Sequence, residues 1–158
     1  FDLKMNGSKK LAAKIQSIFN EKNESSTSLR DLLPESVINE GTRSQVGVIG
    51  RNGKIVSAYV HYDGYPKNMK PGLKHHMKSE KDVLKLIKMG GARGIFDDKE
   101  IEYYKSGKPM KGDSKDIKSY INDAGVEGGA EYVYLYNMKD KKWYFADVYG
   151  KKELKKLF

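Results

Sequence analysis

Two pairs of strand-like runs, each joined by a tight polar turn, constrain this chain more than any other feature. Gln45–Ile49 and Ile55–Tyr62 flank the turn Arg51-Asn52-Gly53. Asn-Gly is the strongest short-range hairpin signal, because both turn residues must adopt positive φ. Near the end of the chain, Glu131–Tyr136 and Trp143–Tyr149 flank Lys139-Asp140-Lys141. In the first of those runs Tyr132, Tyr134 and Tyr136 share one face, while Val133 and Leu135 share the other.

Helical spacing takes over between the hairpins. Ser79 caps a helix over 80–89 whose apolar side is Val83, Leu84, Leu86 and Ile87, ended by Gly90-Gly91. Ser114 is the expected cap of a second helix near 115–124, with Ile117, Tyr120 and Ile121 inward and Gly125 closing it. Pro71–Met77 has room for one or two helical turns, and Leu154, Leu157 and Phe158 are spaced for a terminal helix over 151–158. The expected class is α+β: an antiparallel sheet built from two hairpins, with helices packed on one face.

Residues 8–22 carry Leu11, Ile15, Ile18 and Phe19 at helical spacing, before a polar break at 23–28. A short apolar patch over 29–38, interrupted by Pro34, completes what reads as a helical N-terminal extension over 1–40. Residues 41–158 read as a basic α+β domain. Charge divides at the same boundary: six bases balance six acids in 1–40, and the whole surplus of nine lies in 41–158. Such an excess draws a domain toward polyanions, either nucleic acid or an acidic protein face. No apolar run approaches the roughly 20 residues of a spanning helix, so no membrane is expected. Cysteine is absent, which excludes disulfides, iron–sulfur clusters and thiol nucleophiles. The chain opens with Phe1, which fits either a removed leader or a start inside a longer chain.

Polar and aromatic residues are densest after the second strand, in His61-Tyr62-Asp63-Gly64-Tyr65-Pro66, followed by Lys67, Lys70, Lys74, His75 and His76. Asp63-Gly64 is a turn dipeptide, and Pro66 stiffens the residues after it. One reading makes His61, Asp63 and His76 the acid/base groups of a small hydrolase or nuclease. The plainer reading has Asp63 capping the turn while Tyr62 and Tyr65 pack. A metal site is not expected, because adjacent histidines such as His75 and His76 point about 100° apart on a helix. No cofactor is expected either: there is no phosphate-binding loop, no dinucleotide fingerprint and no nucleophile elbow. Gly90-Gly91-Ala92-Arg93-Gly94 comes after a helix and reads as a stop and tight turn.

Basic residues interleaved with aromatics form the stronger candidate site. Seven lysines meet three acids in 61–90, and seven meet three again in 138–158. Brought together, Tyr62, Tyr65, Tyr132 and Tyr134 with Lys67, Lys70, Lys74, Arg93, Lys141 and Lys142 make a cationic surface with stacking platforms for nucleic acid.

Gly41-Thr42-Arg43-Ser44, then His61-Tyr62-Asp63-Gly64-Tyr65-Pro66, then the helix end Leu86-Ile87-Lys88-Met89-Gly90 resemble a group of small, largely uncharacterised bacteriophage proteins. Members of that group have a Ser-Thr-Arg start and a His-Trp-Asp-Gly-Tyr-Pro motif, with Tyr62 here at the Trp position. The likeness spans roughly 41–149. It implies a phage origin and action in the bacterial host cytoplasm, with no established reaction. Ile38-Asn39-Glu40-Gly41 and Leu33-Pro34-Glu35 also resemble sites cut by the prohead proteases of large tailed phages. A start at Phe1 fits an upstream cut of that kind, and with it packaging in the capsid and injection alongside DNA. The combined expectation is a non-enzymatic accessory protein that binds a host or anti-phage-defence macromolecule, nucleic acid ahead of an acidic host protein.

Overall fold

The computed structural model describes residues 42–105 and 107–158. The extension expected over 1–40, and the cleavage motifs within it, lie outside the described residues.

The two expected hairpins form. The first pairs β1 (Ser44–Ile49) with β2 (Lys54–Val60), and the second pairs β4 (Tyr132–Asn137) with β5 (Lys142–Asp147). Between them come α1 (Pro66–His76), α2 (Glu80–Lys88), β3 (Met110–Asp113), a 3-10 turn over Ser114–Asp116 and α3 (Ile117–Val126). A two-residue strand, β6 (Lys155–Lys156), closes the chain. Six strands make one sheet in the order β3-β2-β1-β4-β5-β6. All neighbours are antiparallel except the central pair, where β1 runs parallel to β4 with Val46 opposite Tyr134. That join fuses the hairpins into a single sheet.

The class is α+β, but its helices divide between the two faces of the sheet. Strand alternation explains why. On one face Val46, Val48, Ala58, Val60, Tyr134, Tyr136 and Trp143 pack against Met69, Leu73, Val83 and Leu86 of α1 and α2. On the other, Ile49, Ile55, Val133 and Leu135 pack against Tyr120, Ile121 and Ala124 of α3. Both faces of the central strands are apolar, so both need a cover.

Local chemistry shifts several boundaries. At α2, Ser79 is the N-cap as expected, and with Asp82 it forms a capping box. Pro66 starts α1 and Pro71 lies inside it, so the helix is longer than the one or two turns expected. The cap expected from Ser114 comes from Asp113 and Asp116 instead, whose carboxylates accept from the backbone amides of Lys115 and Ser119. In place of a terminal helix, Lys155 and Lys156 add an edge strand to β5, and Leu157 reaches back into the first core. A lysine-bearing edge two residues long also discourages further strand addition.

Gly47 sits mid-sheet, where a Cβ would strike the Val56 carbonyl and Ser57. Beneath it runs a buried polar chain: Tyr120 donates to Ser57 Oγ at 2.7 Å, and Ser57 donates to Gln45 Oε1 at 2.8 Å. Burial holds the Tyr120 and Tyr134 phenols well above their ordinary value. In the unfolded chain these rings ionise near pH 10, as free tyrosines do. Native stability is therefore unaffected by them below about pH 10 and is lost progressively as pH rises beyond it. In an alkaline titration the phenolate absorbance of exposed rings should rise first. The last two should ionise only together with loss of the circular dichroism signal.

Candidate nucleic-acid interface

Lysines in α1 and α2 track the helical repeat. Met69, Gly72 and Leu73 face the core from α1, leaving Lys67, Lys70 and Lys74 in one exposed stripe on the opposite side. Val83 and Leu86 do the same in α2 and leave Lys81, Lys85 and Lys88 outward. Lys78, between the helices, is exposed as well. The two carboxylates of α2 are engaged. Glu80 accepts from Arg51 at 2.8 Å, and Asp82 caps the helix. Among the described residues none of these seven lysines is in a salt bridge.

The start of the second lysine-rich segment adjoins the first, while Lys152 bonds to Asn122 of α3 on the other side of the sheet. Arg51 reaches Glu80 at the head of α2 and also Met138 Sδ at 4.0 Å, which sets the β4–β5 turn beside α2. Trp143 Nε1 donates to the Met77 carbonyl at 3.4 Å, and Leu157 shares that core. Lys141 and Lys142 are exposed at this turn, with Lys141 at φ 58. The segment that holds α3 is different in charge: residues 110–130 carry three lysines against four acids.

The tyrosine platform expected beside these lysines is not there. Tyr134 is 0% exposed and its hydroxyl donates to the Gly64 carbonyl at 2.6 Å. Tyr136 is buried edge-on against Trp143, and Tyr132 is half-buried and stacked toward Tyr134. Helices α1 and α2 cover this face, so Tyr134 cannot meet a base and serves as an anchor for the 61–66 loop.

That loop is fixed from several sides. Asp63 takes φ 52, a left-handed conformation that Asp tolerates better than most residues. Asn68 Nδ2 donates to the carbonyls of Asp63 and Ile95 at 2.8 and 3.2 Å. Tyr65, half-buried, precedes Pro66 at the head of α1. Tyr62 points outward at 45% exposure. With Asp63, Arg93, Gly94, Phe96, Lys99, Glu100 and Glu102 it lines a cleft of about 330 Å³.

His61, Asp63 and His76 are not gathered around one cavity. His61 Nδ1 shares a hydrogen bond with the Tyr59 hydroxyl at 2.8 Å, while Asp63 lines the cleft just described. His76 Nε2 donates to the Phe96 carbonyl at 2.7 Å and lines a smaller cleft of about 130 Å³ with Asp82, Lys85 and Tyr103. Of the acid/base set of an enzymatic reading, Asp63 and His76 thus line two different clefts, which share Glu100, and His61 lines neither of them. Among the described residues no three His, Asp or Glu side chains are grouped to hold a metal ion, and no helix is long and apolar enough to cross a membrane.

No family model, curated protein or solved structure matches this chain.

Two aromatic residues not expected at the site stand near Arg93. Tyr104 stacks on Tyr59 with ring centroids 6.4 Å apart at 21°. His61 lies 5.7 Å from Tyr59 and meets Tyr62 edge-on at 4.4 Å. Tyr59 carried a sequence signal, since it shares the His61 face of its strand. Tyr104 carried none, because it arrives through an irregular loop.

Proposed function

We propose that this chain is a non-enzymatic binding protein whose lysine face, made by α1, α2 and the adjoining β4–β5 turn, takes a nucleic acid. One observation carries the reading. Seven exposed lysines lie on α1, on α2 and between them, on one helix layer, and none of them is in a salt bridge among the described residues. Lysine is a mobile point charge, suited to tracking phosphates without reading bases. Together with the resemblance to small phage proteins, this describes an accessory protein acting on nucleic acid in the bacterial host cytoplasm. An acidic host protein is the alternative ligand for the same face.

Salt tests the nucleic-acid ligand. Binding to labelled DNA or RNA should weaken log-linearly with salt, by about 0.7–0.9 in slope for each phosphate neutralised. Binding that is undetectable at low salt, or indifferent to salt, would remove nucleic acid as the ligand.

A further inference from the structure

We infer that the nucleic acid is engaged as a single strand, with an unpaired base stacking on the patch of Tyr59, His61, Tyr62 and Tyr104 while Arg43 and Arg93 hold its flanking phosphates. This rests on the nucleic-acid reading above for the class of ligand, but on a different surface.

Strand alternation brings Tyr59 out on the α3 side of the sheet, two residues beyond Ser57. Tyr120 of α3 covers Ser57, yet Tyr59 is only half-buried. The 91–105 loop runs alongside, held by bridges from Val60 to Ala92 and from Ala92 to Tyr103. Since Val60, Ala92 and Tyr103 turn toward the first core, Arg93 and Tyr104 emerge with Tyr59 on the other side. Backbone bonds fix this register: Tyr62 N–H donates to the Arg93 carbonyl, and Tyr104 N–H to the Gly91 carbonyl. Gly91, at φ 95, lets the loop come this near, because a Cβ there would strike the Tyr59 carbonyl. Arg43, just ahead of β1, falls on the same side. Burial raises the Tyr59 phenol, and the nearby Arg43 charge opposes that rise.

The patch therefore joins rings to arginines, whereas the α1–α2 face offers lysines. Arginine binds phosphate through its planar fork and stacks on bases. Both guanidinium groups are exposed, and the ion pair from Arg93 to Glu102 is long, at 3.8 Å, between exposed partners. Such a pair holds its arginine weakly against a phosphate. Tyr62 and Arg93 also wall the 330 Å³ cleft, where Asp63, Glu100 and Glu102 can accept from the exocyclic amine of a base and repel its phosphate outward. A duplex hides its base faces between neighbours, so only an unpaired base can use this platform.

The test compares three labelled probes by fluorescence anisotropy: a single strand of about 12 nucleotides, the same strand with abasic sites, and a blunt duplex. Wild type should bind the base-bearing strand roughly ten-fold tighter than its abasic counterpart. Tyr62→Ala and Arg93→Ala alter exposed side chains and should leave the fold intact. Tyr62→Ala should erase the preference, Tyr62→Phe should retain it, and duplex binding should be unchanged by either. Arg93→Ala should weaken the base-bearing and abasic strands alike. Equal binding of base-bearing and abasic strands by wild type, or a preference that survives Tyr62→Ala, overturns the inference. If binding then still falls with salt, the lysine-face reading stands; if no probe binds at all, both fall.

Discussion

Tyr134→Ala is expected to cost about 3–5 kcal/mol of folding stability, the range for truncating a fully buried aromatic side chain. The ring lies wholly inside the first core, between Tyr132 and Phe145, which stack on it at 6.3 Å on either side. Its hydroxyl is also the donor that holds the Gly64 carbonyl. Truncation opens a cavity and frees the 61–66 loop together. Tyr134→Phe removes the hydroxyl alone and should cost about 1 kcal/mol. Urea denaturation of the three proteins measures both values. An alanine variant of native stability with weakened nucleic-acid binding would reverse the assignment and make Tyr134 a surface ligand group.

Reversing four lysines of one layer should have the largest effect on binding. Lys67→Glu, Lys70→Glu, Lys74→Glu and Lys81→Glu together should lower affinity for DNA or RNA by about a hundred-fold or more near physiological salt. The salt slope should shrink in the same variant, since fewer counterions are released. All four side chains are exposed and point away from the core, so the circular dichroism spectrum should not change. Lys115→Glu and Lys118→Glu, set against the pair Lys67→Glu and Lys70→Glu, make the matched control. They alter charge by the same amount on the α3 side, and a local interface predicts little loss. Equal losses in the two sets would mean that net charge alone attracts the ligand.

Both hairpins were legible in the sequence because their signals are local. An Asn-Gly turn and period-two alternation are properties of about a dozen neighbouring residues. The α2 cap was legible for the same reason, since Ser79 and Asp82 are three residues apart. The terminal segment is a strand rather than a helix because an open edge on β5 offers it backbone partners; Leu154, Leu157 and Phe158 fit helical spacing, and a local pattern cannot anticipate that edge. β3 was not legible: Met110-Lys111-Gly112-Asp113 has little strand propensity and is a strand only because β2 supplies its ladder.

The lysine stripes were visible in outline, as a regional excess of charge. Their sidedness comes from the apolar spacing of the same helices. The fate of the tyrosine face was not legible. Tyr132, Tyr134 and Tyr136 alternate with Val133 and Leu135, so β4 has one aromatic and one aliphatic face, and either could be covered or open. Parallel pairing with β1 put β4 at the centre of the sheet, and helices then closed over both faces.

By itself, then, the amino-acid order determined the hairpins, the outward lysines and the absence of thiol chemistry, because each depends on residue type or on contacts within a few positions. Tertiary structure alone decided which rings lie inside, that the β4–β5 turn lies beside α2, and that Tyr104 stacks on Tyr59. Those outcomes depend on which strands become neighbours, and strand pairing is chosen by the burial of whole faces rather than by any local run.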